Sequence, residues 1–61
     1  MKQREIGFTQ GVGYAIQYLI NGHGENSLAG YLMQESGIPL SDFEKVCDEM
    51  DLEYIRKAAA E

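Results

Sequence analysis

The sequence predicts an all-α fold, a small bundle of three to four short helices that forms a single domain over residues 1–61. Three observations predict it. Apolar residues recur at three- and four-residue spacing along the first third of the chain. The stretches NGHGEN and SGIPLS contain the glycines, asparagines and proline that interrupt helices. Helix-start signals follow both stretches, so the chain divides into short helical segments.

The first helix is expected from about residue 3 to about residue 21 and ends at NGHGEN. Its apolar stripe consists of Phe8, Val12, Ala15, Ile16 and Leu19. The second helix is expected to start from a cap at Asn26 or Ser27 and to stop at Gly37. It should bury Leu28 and Leu32, together with either Tyr31 or Met33.

The third helix should begin at a capping box, in which Ser41 is followed three residues later by Glu44. Its end is open: the helix runs on to Met50, or it stops near Cys47 and Asp48 or Asp51 caps a fourth helix. We favour the break, because DEMDLE has the composition of a helix start. The residues expected to share one core are Leu19, Leu28, Leu32, Ile38, Phe43, Val46 and Ile55.

Size and charge limit the possible functions. A chain of 61 residues and 6.8 kDa is near the size where only about 60% of the unfolded surface can be buried, so a homodimer is an open alternative. The formal net charge is −5, which repels nucleic acid and anionic lipid and favours neutral or basic protein partners. Residues 5–44 contain no Lys or Arg.

The expected location is the cytoplasm, with no membrane association. The lone Cys47 cannot form an internal disulfide, and the N-terminal residues lack the long apolar run of a signal peptide or membrane span.

The stretch SGIPLSDFEKV joins the second and third predicted helices and raises the question of DNA binding. Gly37 is the glycine at the turn, and Ile38 is the apolar residue after it. Phe43 and Val46 are the two apolar residues of the following helix that face inward. This spacing resembles the helix-turn-helix of DNA-binding proteins. Two positions depart from it: Met33 stands where a small residue is usual, and Ser36 stands where an apolar one is usual.

The charges of the predicted reading helix argue against DNA binding. Reading helices contact phosphates and base edges mainly through Arg, Lys, Asn and Gln. The residues presented here would be Asp42, Glu44, Asp48 and Glu49, opposed only by Lys45. Because the spacing resembles a helix-turn-helix while the charges oppose DNA binding, a DNA-binding transcription regulator is only the alternative function.

One face of the first helix combines two glycines with two tyrosines. At about 100° per residue, Gly7, Gly11, Tyr14 and Tyr18 lie together, and we call this set the Gly/Tyr face. Glycine costs a helix roughly 0.8–1 kcal/mol relative to alanine, so Gly7, Gly11 and Gly13 need an offsetting gain such as close backbone approach. Either the other helices of the chain pack there, or a second copy does. If the chain self-associates, we expect it to do so through this face.

No catalytic, cofactor or metal site is predicted, so we expect a non-enzymatic protein. His23 and Glu25 alone are too few ligands for a metal. Cys47 would need His23, the only histidine, as its base. The sequence GVGYA lacks the preceding strand, the third glycine and the lysine of phosphate-binding loops.

Six of the ten acidic residues fall within residues 42–53, which we call the acidic segment: Asp42, Glu44, Asp48, Glu49, Asp51 and Glu53. Four of them suit the first turns of helices, where the dipole favours negative charge. Asp48 and Glu49 would oppose the dipole at the end of the third helix, unless Asp48 belongs to the next cap. We therefore expect the acidic segment to bind a partner with a basic surface, although a role in solubility explains it equally well.

The arrangement of FTQGVGYAIQYLI, LAGYLMQESGIPLSDFEK and DEMDLEYIRKA is similar to small helical proteins encoded by bacteriophages and prophages. This resemblance implies a compact accessory protein of the bacterial cytoplasm and transfers no site residues. The sequence therefore favours a small acidic regulatory protein that acts by binding another protein.

Overall fold

The computed structural model describes all residues from Met1 to Glu61. It contains four α-helices, one π-helical turn and no strand, so the all-α prediction is confirmed. The elements are α1 (Gln3–Gln17), the π-helical turn (Tyr18–Gly22), α2 (Asn26–Ser36), α3 (Leu40–Val46) and α4 (Glu49–Ala59). None of these helices is both long and apolar enough to cross a lipid bilayer.

The core receives side chains from all four helices, and α1 packs against each of the other three. Phe43, Ile16 and Ile55 are the largest side chains that are fully buried. The eight buried apolar residues are Ile16, Ile20, Ala29, Met33, Phe43, Leu52, Ile55 and Ala58.

The predicted stripe of α1 is rotated from the face that the structure buries. Phe8 was expected inside and is 59% exposed. The buried positions of α1 and the π-helical turn are Thr9, Gly13, Ile16, Gln17 and Ile20. Val12 and Leu19 lie at the edge of this face and pack against the core only in part.

Gly13 explains the rotation. A Cβ atom at this position would lie 2.7 Å from Cys47 Sγ and 3.1 Å from Ile55 Cδ1. The α1 backbone therefore lies so close to α4 and to the residue after α3 that a side chain at position 13 would force Cys47 Sγ and Ile55 Cδ1 to shift. The predicted close approach exists at Gly13, inside the chain.

The predicted core is largely present, with one error. Phe43 and Ile55 are fully buried. The residues that are partly buried are Leu19, Leu32, Ile38 and Val46. Leu28 was predicted inside and is 50% exposed, because α2 turns Ala29, Gly30 and Met33 inward instead. The sequence did not determine whether α2 buries Tyr31 or Met33. Met33 is buried, and Tyr31 is 65% exposed.

Two predicted helix starts are wrong. No side chain caps α2: its N-cap is Glu25, and Asn26 and Ser27 already lie in the first turn. The α3 helix begins at Leu40 after Pro39, so Ser41 is inside the helix and forms no capping box with Glu44.

Two other helix boundaries are confirmed, whereas α1 ends at Gln17, before the predicted end near residue 21, and continues as the π-helical turn. Gly37 ends α2 with φ of 70°, in the left-handed region that favours glycine. The predicted break after α3 is also present, since Cys47 is extended. Asp48 then caps α4, and its Oδ1 atom accepts a hydrogen bond from the backbone N–H of Asp51 at 2.9 Å.

Candidate interaction surface

The Gly/Tyr face lies on the outside of α1, opposite the core. Tyr14 is 60% exposed and Tyr18 is 50% exposed. Gly7 and Gly11 are exposed, and a Cβ atom built at either position would have no atom within 4 Å. The other helices of the chain therefore do not pack into this face.

The glycines at 7 and 11 have no conformational role within the chain. The only positive φ angles are those of Gly24 and Gly37. Alanine at position 7 or 11 would thus be unstrained and would favour the helix by roughly 0.8–1 kcal/mol. Gly7 and Gly11 differ in this from Gly13, which the core requires.

The tyrosines form a row of rings with His23. Tyr14 and Tyr18 are nearly parallel, with centroids 6.4 Å apart, and the His23 ring meets Tyr18 edge-on at 4.9 Å. The ring of Tyr18 also lies over Gly22 of the π-helical turn, since a Cβ atom there would be 3.4 Å from Tyr18 Cδ1. These contacts restrict the rings before any partner arrives, which lowers the entropy lost on binding.

The stretch of sequence that contains the face is uncharged. Residues 6–24 contain no Asp, Glu, Lys or Arg, although Phe8, Gln10 and both tyrosines are exposed. Ten of the fifteen charged residues lie within residues 42–61. Phe8 and His23 are not among the residues predicted for an interface, although the absence of acids as well as cations from residues 6–24 is visible in the sequence.

The structure removes the motive for singling out Asp48 and Glu49. Asp48 is the N-cap of α4, and Glu49 is the first residue of that helix. Both carboxylates therefore lie at a helix N-terminus, where the dipole stabilises them. The alternative in which Asp48 belongs to the next cap is therefore the one present, whereas the expectation that Glu49 lies at the end of α3 is wrong.

Other residues of the acidic segment are engaged within the chain. Arg56 contacts Glu44 at 3.1 Å and Glu49 at 3.6 Å, and Lys57 contacts Glu53 at 3.8 Å. These side chains are about half exposed or more, so each pair contributes at most ~1 kcal/mol. The segment remains acidic, since six carboxylates face three cations, and partner binding by it stays a prediction.

Cys47 and Asp51 lie at the junction of α3 and α4: Cys47 follows α3, and Asp51 is in the first turn of α4. Burial, with a smaller effect of the Asp48 carboxylate, raises the pKa of Asp51. Burial, with the Asp51 and Asp48 carboxylates, raises the pKa of the Cys47 thiol. A raised pKa keeps the thiol protonated at neutral pH, which opposes nucleophilic chemistry.

His23 is exposed beside Tyr18. The structure contains no group of three or more His, Cys, Asp or Glu side chains that could hold a metal ion.

The helix-turn-helix-like stretch forms a turn between α2 and α3. Ser36 stabilises it, because its Oγ donates to the carbonyl oxygen of Met33 at 2.6 Å and accepts from the N–H of Ile38 at 3.2 Å. The α3 helix has only seven residues, and its exposed residues are Ser41, Glu44 and Lys45.

Neither a protein-family model, nor a curated protein, nor a solved structure matches this chain.

Proposed function

We propose that this protein is a non-enzymatic regulatory protein of the cytoplasm that acts by binding another protein through the Gly/Tyr face of α1. The supporting observation is that two exposed tyrosines and two unpacked glycines share an outer helix face inside an uncharged stretch of nineteen residues. Each of these features is costly or unnecessary for a chain that acts alone.

The residue types suit a protein interface. Tyrosine supplies a large contact area with only two side-chain torsions to immobilise, and it is enriched among the residues that dominate binding energy. Gly7 and Gly11 carry no side chain and have open space around them, so a partner can approach the α1 backbone closely. The core of a protein interface is also poor in charged residues, as are residues 6–24.

The acidic segment favours a partner whose surface is basic outside the contact area. Such charges steer association and orient the partner more than they add affinity. The resemblance to phage and prophage proteins suggests a protein of the bacterial host or of the phage as this partner.

The test is affinity capture from a bacterial lysate with three immobilised proteins: wild type, the double variant Tyr14→Ala/Tyr18→Ala, and Tyr31→Ala. Tyr31 is the matched control, because it is a tyrosine on α2 that is equally exposed. We expect mass spectrometry to find a protein retained by wild type and Tyr31→Ala and lost from the double variant. Equal retention by all three would contradict the proposal.

The paired substitution Asp48→Asn/Glu49→Gln then measures what the acidic segment contributes. If it steers the partner, association of the captured protein slows and loses part of its salt dependence. Unchanged association across a salt series would leave solubility as the role of this segment.

DNA binding is the alternative function, and the turn at Gly37 between α2 and α3 is the observation that favours it. Titration of the protein against random-sequence DNA at low salt tests it, since electrostatic attraction to phosphates is strongest there. We expect no binding, because the exposed part of α3 offers a single cation, Lys45.

A further inference from the structure

We infer that the Gly/Tyr face binds the same face of a second copy, with the two α1 helices antiparallel about a two-fold axis. This inference rests on the proposed function because it uses the same surface, which a second copy occupies when the partner protein is absent. It adds an arrangement of the pair that can be tested by substitution.

The spacing of the four residues is symmetric. Gly7 and Tyr18 are equally far in sequence from the midpoint between Val12 and Gly13. Gly11 and Tyr14 are also equally far from this midpoint. In an antiparallel pair with its axis at this midpoint, each tyrosine comes level with a glycine of the partner. The same patch is therefore complementary to itself, as a two-fold interface requires.

The shapes on the two halves of the face agree with this pairing. The half at Gly7 and Gly11 is open, with nothing near a built Cβ atom. The half at Tyr14 and Tyr18 projects two exposed rings that are already aligned with each other. The rings of one copy would fill the open half of the other, and the helix axes would approach more closely than large residues at 7 and 11 allow.

Charge favours the association of two copies through this face and opposes their association through other surfaces. Each copy carries a formal net charge of −5, so two copies repel through most of their surface. Residues 6–24 carry no formal charge at neutral pH with His23 neutral, whereas seven of the ten acids lie within residues 42–61. Contact through α1 thus brings together the least repulsive surfaces of two identical chains.

The available area predicts a weak dimer. A stable interface buries about 800 Å² per partner, which is about a fifth of the 4014 Å² surface of this chain. One outer helix face with Phe8 and His23 at its sides supplies a modest contact of this kind. We therefore expect a dimer that dissociates on dilution.

The experiment is sedimentation over a concentration series that extends well above the micromolar range, with four proteins. Wild type should dimerise, and Gly11→Leu should dissociate at least tenfold more readily, because the new side chain meets the Tyr14 ring of the partner. The double variant Gly11→Leu/Tyr14→Ala should dimerise again, since the added leucine then faces an alanine. Ala59→Leu, which adds the same bulk at an exposed position of α4, should behave as wild type.

The outcomes separate the inference from the proposed function. A wild-type chain that stays monomeric overturns the inference, while the proposed function is decided independently by the loss of capture in Tyr14→Ala/Tyr18→Ala. A dimer that survives Gly11→Leu places the interface elsewhere and also overturns it. A dimer that Gly11→Leu breaks and Tyr14→Ala does not restore excludes the antiparallel pairing.

Circular dichroism checks that each variant is folded. Gly7→Leu combined with Tyr18→Ala repeats the test at the second pair of facing residues.

Discussion

The Gly/Tyr face and the acidic segment are both unusual in sequence, but they differ in how much the fold uses them. In the acidic segment, Asp48 caps α4 and Glu49 lies in the first turn of that helix. Glu44 and Glu53 form ion pairs with cations of α4. On the Gly/Tyr face, neither glycine contacts any residue that would explain it, and both rings point to solvent.

This contrast shows which unusual residues indicate a partner. A residue that caps a helix or pairs with a neighbouring charge is explained by the chain itself, whatever else it does. A residue that costs stability and has no contact within the chain needs an explanation outside it. By this criterion the outer face of α1 is the stronger candidate for binding, and the acidic segment is the weaker one.

The first prediction compares a residue packed against the inner face of α1 with a residue on its outside. Phe43 is fully buried against α1, so Phe43→Ala should lower the free energy of unfolding by about 3–5 kcal/mol. Phe8→Ala is the matched control and should change it by less than about 0.5 kcal/mol, because Phe8 is exposed. Urea unfolding followed by circular dichroism measures both values. Equal losses would show that α1 packs through the stripe expected from the sequence.

The second prediction compares two glycines on opposite faces of α1. Gly13→Ala inserts a methyl group against Cys47 Sγ and Ile55 Cδ1. Overpacking costs ~1–3 kcal/mol and the gain in helix propensity offsets ~0.8–1 kcal/mol, so we expect a net loss of about 1 kcal/mol. Gly11→Ala should instead raise the stability of the monomer by about 0.8–1 kcal/mol. Thermal melts at low protein concentration decide the two signs, and a stabilising Gly13→Ala would contradict the close approach.

The third prediction tests the structural role of the acidic segment. Asp48→Ala removes the acceptor for the N–H of Asp51 and should lower the free energy of unfolding by about 1 kcal/mol. Asp48→Asn keeps an acceptor oxygen and should retain most of this stability while removing the charge. If both variants unfold at the same denaturant concentration as wild type, the cap contributes nothing measurable.

The smallest expected effect concerns the Cys47 thiol. Its raised pKa means less thiolate at about pH 8, so iodoacetamide should alkylate the folded protein severalfold more slowly than the urea-unfolded chain. The rate should rise with pH through the raised pKa of the thiol. Asp51→Asn removes a nearby negative charge, which lowers this pKa and should accelerate alkylation. A folded protein that reacts as fast as the unfolded one would show that neither burial nor these carboxylates protect the thiol.

Several features of this protein followed from the sequence because they depend on neighbouring residues. The all-α fold, the stop at Gly37 and the break before α4 are set by periodicity, by a left-handed glycine and by an N-cap aspartate. Each of these can be evaluated over a few consecutive residues. The membership of the Gly/Tyr face also followed from helical geometry alone, since its residues are spaced by three and four.

Which side of each helix faces inward depends on how the helices pack together. Phe8 and Leu28 suit a core by residue type, yet the buried faces pass through Gly13 and Gly30, where other parts of the chain approach closely. A hydrophobic pattern favours large apolar residues and gives glycine no weight, so it misplaces a helix that packs through its backbone. Only the arrangement of α1 against Cys47 and Ile55 shows that Gly13 serves the core while Gly7 and Gly11 remain open to a partner.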